Sequence, residues 1–254
     1  MKQIKKWILK LTVAVLFIAS LLLLIILNPI LTYAGKTVHN NYIIFHNKGL
    51  DPAFTIQLDK AISLLHKSEL YNPSLQLNIC LNDGSKYPVL MHTLRGEAFA
   101  WGFYNKVVLQ GNANFKENYI ELNSFRWNAA QLLAHEITHC LQYDKLGFWK
   151  SKPVANIPNW KWEGYAEYAA RQNDDQKDLS KNIERFIAAD KNNWAIYFAD
   201  STIAPGEYYH SWILVQYCID IKNMRYAQLL ADTAGEQTVS NEMMSWYNTQ
   251  KLKK

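Results

Sequence analysis

The sequence predicts an α+β fold. It has an amino-terminal membrane or signal helix (residues 1–34) and one domain (35–254), with a small mixed, strand-rich half over 35–123 and a helical half over 124–254. Three observations carry that expectation. A basic segment is followed by a long apolar run. Short strand-like segments surround a single helical stretch in the first half. From Ser124 onward, apolar residues recur at helical spacing.

The first element is the amino-terminal helix. Residues 1–10 carry Lys2, Lys5, Lys6 and Lys10 and no acid, and the 17 residues Leu11–Leu27 are interrupted only by Thr12 and Ser20. Asn28-Pro29 ends the helix. Two fates fit this order. The run is longer than the apolar core of a removable signal and is close to the length that spans a bilayer, which favours a retained anchor. Thr32 and Ala34 also place small residues three and one before a possible cleavage after Ala34. In both cases the lysines stay in the cytoplasm and residues beyond about 35 lie outside it. The expected localisation is a single-pass membrane protein with its domain outside the cytoplasm, with a secreted form cleaved near Ala34 as the alternative.

The elements of the first half follow in order. Asn41–His46 reads as a strand, Phe54–Leu70 as a helix with Ile56, Leu58, Ile62 and Leu65 at helical spacing, and Leu75–Leu81 as an alternating strand. Asn82-Asp83-Gly84 is a turn. Ala98–Tyr104, Lys106–Gln110 and Tyr119–Leu122 are three further short strands. In the second half, Ser124 is placed to cap a helix running to about Tyr143, with Gly147 past its end. Pro153 and Pro158 mark a loop. Helices are expected over Trp160–Arg171, Leu179–Ala189, Glu207–Ile221, Tyr226–Asp232 and Asn241–Tyr247, and residues 174–178 read as a solvated turn.

Composition narrows what such a domain can do. The chain has 254 residues, 49% hydrophobic and 19% charged, enough to bury a core and too apolar for disorder. Its net charge of +5 owes four units to the terminal lysines, and the remaining +1 excludes nucleic-acid binding as its main work. The cysteines Cys80, Cys140 and Cys218 are too few and too scattered for a disulfide scaffold. Cys80 and Cys218 can pair in an oxidising compartment, but both sit in apolar segments, where buried free thiols are the simpler reading.

Inside the first helix of the second half lies His135-Glu136-Ile137-Thr138-His139. Two histidines at i and i+4 project from one helix face, so their ring nitrogens can converge on one Zn²⁺, and Glu136 sits where it can reach a metal-bound water. Such a site needs a third protein ligand. Gln142 and Lys145 stand where a metzincin would have glycine and a third histidine, which excludes that branch. Downstream, Trp160-Lys161-Trp162-Glu163-Gly164-Tyr165-Ala166-Glu167-Tyr168 offers Glu163 as a ligand. Glu167, one turn on, shares its face and can take the free N–H of a zinc-binding histidine. Gly164 and Ala166 are small enough to let this helix pack closely on the first. His39, His46, His66 and His92 lack ligand spacing and read as surface or core residues, and the aromatic residues Trp160, Trp162, Tyr165 and Tyr168 as a stacked core around the cleft.

HEITH followed by WEGYAEY resembles the gluzincin metallopeptidases, and the peptidase MA-like group in particular. The resemblance covers roughly residues 40–235 and is specific at those two motifs. It implies a zincin-like domain with the zinc between its halves, His135, His139 and Glu163 as ligands, and Glu136 as general base. It also implies an oxyanion tyrosine near the start of a later helix, where Tyr208 matches and Tyr209 and His210 are its neighbours. Phe99–Gln110 would supply the edge that binds extended substrate, and Cys140 would be a buried helix residue rather than a fourth ligand. The expected activity is peptide-bond hydrolysis in a peptide or protein substrate, by water that zinc binds and Glu136 activates. A zinc hydrolase of a non-peptide amide or ester, and a non-catalytic membrane-tethered binding protein, are the alternatives. The expected partners are that substrate and the membrane, with no nucleic acid.

Overall fold

Helix α1 (Lys2–Leu27) opens the chain in the computed structural model, which describes residues 2–190 and 193–252. The ends of the two predicted segments, residues 1 and 254, and the side chain of Lys2 lie outside that description. The 25-residue stretch Gln3–Leu27 is long and apolar enough to cross a membrane and has none of its apolar window buried, as expected of a spanning helix or a signal sequence.

A five-stranded sheet organises the first half. β1 (Gly35–His39) and β2 (Tyr42–His46) form a hairpin, α2 (Pro52–Leu65) crosses to β3 (Leu77–Cys80), and α3 (Lys86–Arg95) leads to β4 (Ala100–Phe103) and β5 (Lys106–Leu109). The spatial order is β1-β2-β3-β5-β4, with β2, β3 and β5 parallel and both outer strands antiparallel to their neighbours. β4 is therefore an edge strand and β5 an interior one. Of the Phe99–Gln110 segment read as an edge, only the first strand is one. Asp51 caps α2 by accepting from the Ala53 amide at 2.9 Å, and Phe54, Leu58, Ala61 and Leu65 recur on its buried face. α3 is absent from the sequence reading. Its apolar periodicity is weak and Pro88 interrupts it, but Ser85 caps it and Tyr87, Pro88 and Met91 are buried.

A second sheet joins β6 (Asn112–Asn114), β7 (Tyr119–Leu122), which is the strand expected there, and β8 (Phe125–Asn128), and β8 replaces the predicted start of the long helix. Ser124 is not a helix cap. Asn123 and Ser124 have φ of +50° and +66°, forming a two-residue hairpin turn that pairs Leu122 with Phe125. The cap is Asn128, whose Oδ1 accepts from the Gln131 amide at 3.2 Å, and α4 runs over Ala129–Leu146.

Helices α5 (Asn159–Ala170), α6 (Leu179–Ala188), α7 (Gly206–Gln216, extended by a π turn to Ile221) and α8 (Tyr226–Ala231) lie close to the predicted spans. α9 (Glu236–Lys251) is longer than predicted, and the small hairpin β9 (Ala195–Tyr197)–β10 (Ile203–Pro205) is an addition. Two glycines set close approaches. A Cβ on Gly102 would lie 2.2 Å from the Glu136 carbonyl oxygen, so β4 presses directly on α4. A Cβ on Gly164 would lie 2.4 Å from the Ser211 carbonyl oxygen, so this glycine lets α5 pack on α7, not on α4 as its small size suggested. All three cysteines are free and fully buried, so the Cys80–Cys218 pair does not form.

Candidate metal centre

Every residue of α4 from Ala129 to Tyr143 is buried, so its two histidines lie in a low-dielectric interior and depend on protein partners. His135 and His139, one turn apart, bring their Nε2 atoms to 3.0 Å. Glu163, in the first half of α5, places Oε2 at 3.2 Å from His139 Nε2 and 3.3 Å from His135 Nε2. Three donors spaced this way fit a tetrahedral ion, because ligands at about 2.0–2.1 Å stand about 3.3 Å from one another. Ligand atoms of His135, Glu136 and His139 also all lie within 4.8 Å of one another.

Partners behind the rings fix which nitrogen faces the centre. His139 Nδ1 lies 2.8 Å from Gln142 Oε1. Gln142 donates its amide hydrogens to the Trp162 carbonyl (3.1 Å) and the Tyr226 hydroxyl (2.8 Å), so its oxygen faces the ring and accepts the Nδ1 proton. His135 Nδ1 lies 3.2 Å from Glu167 Oε1 in an ion-pair contact not aligned as a regular hydrogen bond. The other Glu167 oxygen accepts from Arg171 Nε, and Arg171 also donates to Gln131 Oε1 at 3.1 Å. With both Nδ1 atoms turned toward acceptors, both Nε2 lone pairs point at one spot.

The electrostatics match a cation. Burial disfavours a charged His135, yet Glu163 and Glu167 outweigh it and push its pKa up to about 10. Burial likewise favours neutral Glu163, but His139 and His135 hold it well below the usual carboxylate range. For Glu136 burial prevails and raises its pKa, opposed by the two histidines and a backbone hydrogen bond from Gly102. Glu163 and Glu167 thus favour a positive charge on His135, which without metal is a proton, and a divalent ion would displace that proton to take the Nε2 lone pair.

A cleft of about 710 Å³ opens over these residues. Ala98–Gly102, which includes the unpaired edge of β4, forms one wall, and Phe125, Trp127, Trp194 and Tyr208 are among its other lining residues. Tyr208 stacks on His135, with centroids 5.9 Å apart and planes at 17°. Burial, reinforced by Glu163 and Glu136, pushes its phenol pKa up, so Tyr208 keeps its proton. Tyr209 instead donates to the Asn182 carbonyl at 3.1 Å in the core, and His210 faces Glu236 at 3.2 Å. Neither lines the cleft. Of the aromatics expected around it, only Trp162 does, stacked on His139 at 5.6 Å. Cys140 Sγ points to the Lys106 carbonyl (3.4 Å), away from the donors.

No family model matches this chain, and no curated protein matches it closely enough to count as a relative. What stands is an α+β fold with a buried His-Glu-x-x-His group able to hold a metal ion.

The sequence reading gives no role in the site to Gln142, Arg171 or Trp127. Gln142 was accessible to it, since a residue three after His139 shares its helix face. Arg171 was accessible too, since it stands four residues after Glu167, whereas Trp127 acts through tertiary contacts that no spacing announces.

Proposed function

We propose that the protein is a zinc-dependent hydrolase, specifically a gluzincin-type metallopeptidase with a zincin-like domain tethered through α1. The observation that carries this reading is the convergence of His135 Nε2, His139 Nε2 and Glu163 Oε2 within 3.0–3.3 Å, with Glu136 beside them under a large cleft. Two imidazoles and one carboxylate are the donor set of a catalytic zinc site with a position left open. When bound, zinc acidifies water and polarises a carbonyl oxygen.

The chain's own residues do the rest. His135, His139 and Glu163 hold the ion, and Gln142 and Glu167 orient the two rings. Glu136 takes the proton of the attacking water and passes it to the leaving amine, a task suited to a carboxylate whose pKa burial has raised. Tyr208, kept as a phenol, donates to the oxyanion that develops on the substrate. The edge of β4 favours a peptide over a small ester or amide, because no further strand pairs with it and its edge groups, apart from the Gly102 N–H that bonds Glu136, can meet an extended chain.

The test measures metal content and cleavage of quenched peptides by the full chain in detergent, with chelator and after zinc is restored. One zinc per chain and chelator-sensitive cleavage are expected. Zinc bound without cleavage of any peptide, beside turnover of an aryl ester or amide, would move the substrate to the non-peptide class. Binding of peptide with no turnover would make it a tethered binding protein.

A further inference from the structure

Pro29–Ala34, placed by the sequence in the signal or anchor segment, is packed against the domain. Pro29 and Tyr33 are buried. Tyr33 packs against Phe45 (5.8 Å) and Tyr87 (6.3 Å) in a second core cluster with Cys80, Met91 and Val108. Its hydroxyl donates to the Leu81 carbonyl at 2.8 Å. The Ala34 amide donates to Asn47 Oδ1 at 2.7 Å, and Ser85 Oγ donates to the Thr32 carbonyl at 2.9 Å. One contact reaches α1 itself, where the Tyr87 hydroxyl donates to the Ile26 carbonyl at 2.7 Å.

We propose that α1 is retained as a membrane anchor and that the bonded elbow Asn28–Ala34 fixes the cleft near the bilayer, so that the substrate is a polypeptide segment lying at the membrane surface. The substrate half of this proposal rests on the peptidase reading. Cleavage after Ala34 would remove the Tyr33 ring and uncover a cluster in which Cys80, Tyr87 and Val108 are fully buried. A leader designed for removal leaves no such gap.

The distance follows from α3. Tyr87 stands near its start and Arg95, which lines the cleft, at its end. Eight residues at a rise of 1.5 Å, the length of one tyrosine side chain and the hydrogen bond to Ile26 put the Arg95 backbone at most about 22 Å from the Ile26 carbonyl. Ile30 and Leu31 in the elbow, and Lys86 and Val89 on α3, are exposed, an apolar and cationic mixture suited to the headgroup layer. The proposal therefore commits to the lipid surface as the neighbour of this face.

The test uses the full chain, produced in a host with an export pathway and reconstituted into liposomes. Intact mass should show a chain that still carries α1. A product beginning at Gly35 overturns the proposal. For position, Thr93→Cys gives one exposed label site on α3, since the three native thiols are fully buried. Energy transfer to headgroup acceptors should place that label within about 25 Å of the bilayer surface. A distance beyond about 40 Å overturns the proposal. Tyr87→Phe keeps the ring and removes only the bond to Ile26. It should broaden the distance distribution, and an unchanged distribution overturns the role of the elbow.

The substrate half is read with lipid-anchored quenched peptides whose scissile stretch lies ~15 Å or ~80 Å from the bilayer. The near peptide should be cleaved at least about tenfold faster. Equal rates overturn the proposal and leave the peptidase reading intact. A correctly placed label with no cleavage of any peptide, free or anchored, overturns the peptidase reading and the substrate half with it, while the anchored geometry stands.

Discussion

Gln142 Oε1 and His139 Nδ1 lie 2.8 Å apart, and the amide of Gln142 is held in that orientation by the Trp162 carbonyl and the Tyr226 hydroxyl. The orientation of one donor ring is therefore tied to α5, through Trp162, and to α8, through Tyr226. Gln142→Leu should weaken zinc binding by about 10–100-fold, as expected of a partner that fixes a ligand's tautomer. Tyr226→Phe, which removes one of the two bonds steering the amide, should have a smaller effect in the same direction. Competition with a chromophoric chelator reads both.

The assignment of the base predicts a clean separation of binding from chemistry. Glu136→Gln preserves shape and burial but cannot accept a proton at neutral pH. Zinc stoichiometry should stay at one while peptide hydrolysis falls by about 10²–10⁴-fold. Wild-type turnover in this variant would remove Glu136 from the mechanism.

Glu163→Ala should lose the metal on dialysis, because two histidines alone make a weak site. Retained zinc would point to Glu167 or Glu136 as the third ligand. Glu167→Gln should be milder, about 10–100-fold in affinity or activity. Arg171→Met probes the layer behind. Arg171 and Glu167 are each 1% exposed and paired, so the substitution leaves His135 as the carboxylate's remaining cationic partner and should cost about 1–3 kcal/mol in denaturant unfolding of the metal-free chain. Arg171→Lys should recover part of that loss.

Much of the site was legible in the sequence, and the reason is local. His135, Glu136 and His139 share one helix, so 3.6-residue periodicity alone brings the two rings to one side. Glu163 and Glu167 repeat the same logic on α5. What the sequence could not supply was the way the elements meet. The hairpin turn at Asn123-Ser124 lacks the glycine that would announce it, so from sequence the residue after Asn123 resembles a cap and β8 the start of a helix. β1, β6, β9 and β10 are three to five residues long and held mainly by pairing, which leaves little trace in composition. α3 is defined by Ser85 and by the cluster it covers, not by its own pattern.

The contact between β4 and α4 predicts sensitivity at a position with no chemistry of its own. Gly102→Ala places a methyl against the Glu136 backbone, and neither the strand nor the buried helix can yield easily. A destabilisation of about 1–3 kcal/mol is expected, seen as a lower melting temperature. Because the strained atom is the carbonyl of Glu136, kcat should fall beyond what the unfolded fraction explains. A variant with wild-type stability and activity would mean that β4 can lift from α4 at no cost.

The final prediction separates three adjacent side chains on α7 by where they point. Tyr208 faces the cleft and stacks on His135, Tyr209 bonds the Asn182 carbonyl in the core, and His210 meets Glu236 on the other side. Tyr208→Phe keeps the stacked ring and removes only the hydroxyl. It should lower kcat more than it raises KM, because an oxyanion donor acts mainly in the transition state. The expected loss is about 10²-fold or more, close to that of a removed oxyanion donor. Tyr209→Phe removes a buried hydrogen bond and should cost about 1 kcal/mol of stability with kcat unchanged. His210→Ala should be nearly silent in both. A large kcat loss in His210→Ala with none in Tyr208→Phe would require α7 to turn the opposite face to the cleft. Silence in all three would leave the oxyanion to other donors along the cleft, among which Arg95 can be tested by substitution.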